Sequence, residues 1–377
     1  MVGALAPDGG SVGVLIEDLV TGQVLFTRAA GIGRPPASVE KLYTSTAALS
    51  LLGPDTRLHT DVLGAGELEP GGVWHGDLYL RGDGDPTFGD GTFNRLYEDG
   101  YGPTAAQLVA QLRRDGIRRV AGFLVADESR FDDDRGGPAT NNQPDIPDYG
   151  GELSALVYDH GATAKGYTPA TFAANEVALT ARAQGIGLFA FGSGRTPGGA
   201  RLLATVASPP LSVLIRLMDV PSDDLFADLL AKQVGYRFFG RGTLTMGAIE
   251  IGQDIAAHYG IEPTILDGSG LDKSDRSSPE QIVSLLGQLW GTPIGQDVQA
   301  ALPVVGETGT VRGIGVHTAA QGHCEAKTGT LNYVSNLAGW CSATDGHTLA
   351  FAVMIDGPSN WQAFGALAKV VAAIAAY

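Results

Sequence analysis

The stretch Pro36-Ala37-Ser38-Val39-Glu40-Lys41-Leu42 decides how the rest of the chain is read. Pro35-Pro36 ends an extended segment. From Ser38 to Leu52 the residues Leu42, Ala48, Leu49 and Leu52 form a helical apolar face that stops at Gly53-Pro54, so the spacing predicts a helix beginning at or very near Ser38. Two residues three apart share a helix face, which puts the Lys41 amine within reach of the Ser38 hydroxyl. A serine at a helix start also lies beside unpaired backbone N–H groups and the positive end of the helix dipole, both of which stabilise a developing oxyanion. A lysine desolvated there can lose its proton and serve as general base. Of the six lysines, only Lys41 follows a serine by three positions. The ordinary alternative is an exposed helical turn.

Upstream, Ser11 to Thr27 reads as a hairpin, because Val12, Val14 and Ile16 alternate and Thr21-Gly22 supplies turn chemistry. Downstream, from about Leu58 to Thr205, the texture changes to short strands such as Gly76 to Leu80, acidic glycine-rich loops and one helix near Ala105 to Asp115. This stretch reads as a separate module. Helical segments then return at Pro209 to Met218, Asp224 to Gln233 and Pro279 to Trp290. Three strand-like runs follow near Glu325 to Leu331, Asn336 to Cys341 and Leu349 to Ile355, and the chain closes with an apolar helix from Trp361 to Tyr377. That helix carries one cation, Lys369, and no cationic face, so it is expected to pack on a sheet instead of lying on a membrane.

The chain has 377 residues, with 41 acidic and 25 basic side chains and a formal net charge of −16. Binding to nucleic acid draws on clustered cations, and the lysines here are scattered, so DNA and RNA are excluded as partners. Apolar residues at 44% and charged residues at 18% indicate a globular chain long enough to bury its own core. No apolar run approaches a membrane span, and Met1 to Gly10 lacks the basic and apolar regions of an export signal.

A second run, Lys327-Thr328-Gly329-Thr330, falls on one of the expected strands. A strand lysine with an adjacent hydroxyl and a glycine without a side chain makes a ledge. An extended peptide can lie along it while its carboxylate meets cation and hydroxyl. Cys324 and Cys341 flank this region, and their spacing fits a disulfide across neighbouring strands better than two buried thiols, which implies an oxidising compartment. A zinc site including His323 lacks a second Cys/His cluster. Two motif matches are decoys. Gly9-Gly10-Ser11-Val12-Gly13 has the pattern of a nucleophile elbow but precedes a strand. Asp83-Gly84-Asp85-Pro86-Thr87 resembles a calcium loop but continues with Phe88 where glycine is needed and Asn94 where an acid belongs, and so reads as a turn.

With both motifs in place, the chain resembles the serine D-alanyl-D-alanine carboxypeptidases and endopeptidases of the penicillin-binding-protein 4 type. These are the low-molecular-mass class C proteins of peptidase family S13. The resemblance spans nearly the whole sequence. It includes Gly76-Asp77-Leu78-Tyr79-Leu80 with Gly84-Asp85-Pro86, the Asp267-Gly268-Ser269-Gly270-Leu271 turn, and Leu302-Pro303-Val304 with Gly309-Thr310. It implies an α/β (α+β) fold: a β-lactamase/transpeptidase-like domain from residues 1–57 and 206–377, with an antiparallel sheet covered by helices, and an inserted mainly β module at 58–205. It further implies acyl transfer to Ser38 from a peptidoglycan stem peptide, release of the terminal D-alanine, and acylation by β-lactam antibiotics. Lys41 would be the base, Ser222 a proton shuttle, Lys327 and Thr328 the dock for the substrate carboxylate beside Gly329, and the N–H groups of Ser38 and Thr330 the oxyanion hole. No metal or organic cofactor is implied, and the expected location is extracytoplasmic, with the export signal absent from this sequence.

One departure stands out. The family's second motif is Ser-x-Asn, whereas the matching place reads Ser222-Asp223-Asp224. A carboxamide can donate and accept, but an ionised carboxylate only accepts, and beside Lys41 it favours the protonated amine. The alternatives are therefore a catalytically weakened peptidoglycan-binding protein, or a β-lactamase or esterase of the same fold.

Overall fold

A computed structural model describes residues 11–357 and 359–377. Gly9 and Gly10 of the elbow-like pattern, and the rest of Met1 to Gly10, lie outside the described residues. The chain divides into two compact units: residues 1–54, 211–227 and 247–377, and residues 55–210 with 228–246.

The first unit is built on a five-stranded antiparallel sheet. Its order is Gln23–Arg28, Ser11–Asp18, Thr348–Asp356, Val334–Ser342 and Cys324–Leu331. Thr348–Asp356 is apolar at nearly every position because both of its faces are covered. Leu349, Phe351, Val353 and Ile355 join Val12, Val14 and Leu337 in one core with Leu367, Val371 and Ile374 of the helix Asn360–Ala375. Alternate residues of a strand point to opposite faces. Ala350, Ala352 and Met354 therefore face the other side, where helix Pro279–Leu289 packs. Ser278 opens that helix with a reciprocal capping box to Gln281, and Trp340 of the sheet donates its indole N–H to the Leu286 carbonyl at 3.2 Å. Cys324 and Cys341 stand directly opposite one another across two strands and are disulfide-bonded.

The Ser38 helix is present with one refinement. Ala37–Glu40 is a turn of 3₁₀-helix, and the α-helix proper runs Lys41–Leu52. It is also more buried than an amphipathic segment, with Lys41 through Leu49 all inside. Helices Leu244–Tyr259 and Pro293–Ala301 were not anticipated from sequence, although the second opens with Thr292-Pro293, a capping threonine followed by proline.

The second unit holds a six-stranded mixed sheet. His59–Glu69 pairs antiparallel with both Val73–Gly82 and Arg201–Ala207. Val73–Gly82 runs parallel to Leu124–Asp127, which runs parallel to Phe191–Ser193. Parallel neighbours need long crossovers. The expected helix, Ala105–Arg114, provides the first, and the second is a helix not anticipated from sequence, Pro169–Ala183. Its start was marked by Thr168-Pro169, a capping threonine followed by proline at the first helical position. Asp83 to Thr87 is a turn, closed by Asp85 accepting from the Thr87 backbone and hydroxyl.

Candidate active site

The first unit gathers the motif residues. Ser38 sits half-buried in the 3₁₀ turn, one turn ahead of the helix that carries Lys41. Lys41 is fully buried and its amine has three partners: Ser38 Oγ at 3.2 Å, the Ser269 carbonyl at 2.8 Å and Asp224 Oδ1 at 2.5 Å. The Ser269 carbonyl is aimed by a tight turn in which Asp267 accepts from the backbone N–H groups of Ser269, Gly270 and Asp272. Gly270 lies at φ +82°, and a Cβ there would stand 2.1 Å from the Ala37 carbonyl, so only glycine lets this turn press against the Ser38 turn.

Asp224 is the first residue of helix Asp224–Phe239, where an acid complements the helix dipole. The cap itself is made by its neighbour: Asp223 Oδ1 accepts from Phe226 N at 2.9 Å. The Asp224 carboxylate is thereby left to meet Lys41. Just upstream, Ser222 holds a left-handed backbone at φ 68°, an uncommon conformation for a residue with a Cβ.

Lys327 is fully buried instead of lining an open ledge. Its amine donates to Ser222 Oγ at 2.6 Å and to the Thr328 carbonyl at 3.1 Å, and the Thr328 hydroxyl donates to Thr310 Oγ1 at 2.7 Å. Burial, followed by the charge of Lys41, pushes Lys327 down to about 7, against the pull of Asp219 and Asp224. Thr330 is exposed and pairs in register with Ser335. Gly329 has a structural reason beyond the ledge, since a Cβ would stand 2.3 Å from the Pro36 carbonyl and 3.0 Å from Val39 N. The missing side chain is what allows the Lys327 strand to touch the Ser38 turn.

Sequence reading missed two acids in this region. Asp219 is fully buried, accepts from Ser45 Oγ at 2.7 Å through one oxygen and has no hydrogen-bond partner for the other. Burial raises it to about 6, opposed by Lys327, Ser45 and Lys41. Glu40, inside the nucleophile motif itself, is fully buried with neither carboxyl oxygen hydrogen-bonded, and burial with Asp275 and Asp267 nearby holds it well above the ordinary range. Only the periodicity signal placing position 40 on a buried face could have pointed to it. Among the described residues no group of three or more His, Cys, Asp or Glu is arranged to hold a metal ion.

An antiparallel sheet flanked by helices, with a serine and a lysine three residues apart on a helix start facing a strand lysine, defines a class of serine acyl-transfer proteins. The profile of the D-Ala-D-Ala carboxypeptidase 3 (S13) family matches residues 4–186 and 149–376, and the chain belongs to that family of peptidases. It is 28% identical to a D-alanyl-D-alanine carboxypeptidase of Actinomadura sp. (strain R39), over 94% of this chain and 79% of the relative. It is 29% identical to a carboxypeptidase of Mycobacterium tuberculosis, over 97% and 81% respectively. The fold is that of penicillin-binding protein 4 from Haemophilus influenzae, which superposes with a TM-score of 0.80 at 21% identity, covering 100% of this chain and 98% of that one.

Proposed function

We propose that this peptidase works through an acyl-enzyme on Ser38, formed from the penultimate D-alanine of a peptidoglycan stem peptide. The observation that carries the reading is the Lys41 amine 3.2 Å from Ser38 Oγ at the start of a buried helix. In the acylation step neutral Lys41 takes the Ser38 proton as Oγ bonds to the carbonyl carbon. The C–N bond of the tetrahedral intermediate then breaks, and the departing D-alanine amine takes up a proton relayed from Lys41 through Ser222. Water hydrolyses the ester and regenerates Ser38. The N–H groups of Ser38 and Thr330 hold the oxyanion, and Lys327 with Thr328 receives the substrate's terminal carboxylate.

A β-lactam presents the same carbonyl and carboxylate, so it acylates Ser38 and its opened ring stays attached. In support, a Bdellovibrio bacteriovorus endopeptidase that shares the fold at a TM-score of 0.54 has a solved structure acylated by penicillin G. The Cys324–Cys341 disulfide supports an extracytoplasmic site of action, where the cell wall lies. We further propose that residues 58–205 are an insertion into the catalytic domain.

The test is labelling with a fluorescent penicillin followed by mapping of the adduct, together with release of D-alanine from a synthetic peptide ending in D-Ala-D-Ala. The expected adduct is on Ser38 and is lost in Ser38→Ala. An adduct that persists in that variant removes Ser38 from the role.

A further inference from the structure

The Ser38–Lys41 pair is held in an unreactive hydrogen-bond polarity. Lys41 is completely enclosed, and its three acceptors, Ser38 Oγ, Asp224 Oδ1 and the Ser269 carbonyl, match the three hydrogens of an ammonium. A neutral amine has only two hydrogens, and its lone pair would have to face one of these three groups. The carboxylate at 2.5 Å and the carbonyl at 2.8 Å are both acceptors, so only Ser38 can turn from acceptor to donor. That reversal is the event acylation requires.

We propose that Asp224 is a positioning residue that keeps Lys41 as an ammonium, so that Ser38 becomes a nucleophile only after the Lys41–Asp224 pair gives up a proton to solvent. This rests on the functional reading above and specifies how that site is regulated. Written out, Lys41 loses one proton to hydroxide, Ser38 turns its hydroxyl hydrogen to the Lys41 lone pair, and Oγ attacks the carbonyl carbon as the proton moves to Lys41. When the C–N bond breaks, Lys41 passes that proton to Ser222 as the Ser222 hydroxyl hydrogen moves to the amide nitrogen.

Other charges that face the pair come from every element packed around it: Lys327 on the neighbouring strand, Asp219 at the end of helix Leu211–Asp219, Asp267 in the turn that supplies the Ser269 carbonyl, and Glu40 in the Ser38 turn. Burial keeps Glu40 and Asp267 toward their neutral forms. Asp219, at about 6, ionises as pH rises, and Lys327, at about 7, discharges. Both changes make the surroundings of Lys41 more negative, and neither releases its proton.

The experiment measures the second-order acylation constant for a fluorescent penicillin from about pH 6 to about pH 9, in the wild-type chain and in Asp224→Asn, which keeps the shape and removes the charge. The wild-type constant is expected to climb by about tenfold per pH unit from about pH 6 to about pH 7, where Lys327 still holds its charge, and less steeply above that, where the loss of that charge weakens docking of the penicillin carboxylate. Asp224→Asn is expected to be faster at pH 7, by about tenfold to a hundredfold, with a flatter profile. A wild-type profile that is flat between about pH 6 and about pH 7, where Lys327 stays charged, overturns the inference without reference to any variant, so a variant that fails to fold does not rescue it. Superimposable profiles, or an Asp224→Asn variant slower at every pH, also overturn it, the latter by giving Asp224 a productive role. No acylation of either form at any pH overturns the functional reading itself, and that result is distinct from a measurable but unshifted profile.

Discussion

Lys41 and Lys327 are both fully enclosed, yet the chain treats them in opposite ways. Lys41 has a carboxylate in direct contact, whereas Lys327 has only a hydroxyl and a carbonyl, with its acids acting from farther off. An uncompensated buried ammonium is costly, and the protein relieves that cost at Lys327 by moving its titration down to about 7. At Lys41 it relieves the cost with a counter-charge instead. Two lysines of equal burial thus end in different electrostatic settings, one held against a counter-charge and the other a cation whose charge responds to pH in the physiological range.

The widest separation between them should appear on truncation. Lys41→Ala is expected to slow acylation by about 10² to 10⁴, the range lost when a general base is removed, and a stopped-flow measurement with a fluorescent penicillin reads it. A loss under tenfold would mean that some other group takes the Ser38 proton. Lys327→Ala is expected instead to raise KM for a peptide with a free terminal carboxylate by about tenfold to a hundredfold, the range for a charge-assisted contact. The same peptide ending in an amide should be nearly unaffected. Equal effects on the two peptides would remove Lys327 from the dock.

Gly329→Ala tests the contact between the strand of one lysine and the turn of the other. The new Cβ would meet main-chain atoms, which cannot swing aside, so a loss of about 1–3 kcal/mol in unfolding free energy is expected from urea titration, with slower acylation. Unchanged stability would show that the two elements separate freely. The smallest expected effect is on pH response. Lys327 is charged below about pH 7 and loses its proton above it, so KM for the free-carboxylate peptide should rise above neutrality. Asp219→Asn removes an anion that supports the charged form, and the rise should begin about half a pH unit lower. A KM profile unmoved by this change would remove Asp219 from the electrostatics of the site.

Sequence legibility followed how local each signal was. Ser38 and Lys41 are neighbours along one helix, Lys327 to Thr330 form one strand, and the two cysteines stand at equivalent positions of one hairpin, so pattern alone was sufficient to find them. Asp224 was legible only as a departure from a motif, and its contact with Lys41 spans 183 positions. Asp219 and its partner Ser45 carry no local pattern, and their pairing exists only once two helices are packed. The parallel strands of the second unit were hidden for a related reason. Helix Pro169–Ala183 is mainly alanine on its buried side, which gives a weak amphipathic signal, and without that helix the crossover it forms cannot be inferred.

The register of the main sheet has a consequence for how the molecule is made. Ser11 lies opposite Asp356 and Asp18 opposite Leu349, so among the described residues the first strand pairs with the last. His59–Glu69, by contrast, meets Val73–Gly82 after a short turn. Pairings between distant segments pay a large closure entropy before any contact repays it, and they form slowly. During synthesis from the amino end, the hairpin Ser11 to Arg28 therefore waits with one edge unsatisfied until Thr348–Asp356 has emerged. In that interval the exposed edge is open to other chains, so crowding and the speed of translation become determinants of yield.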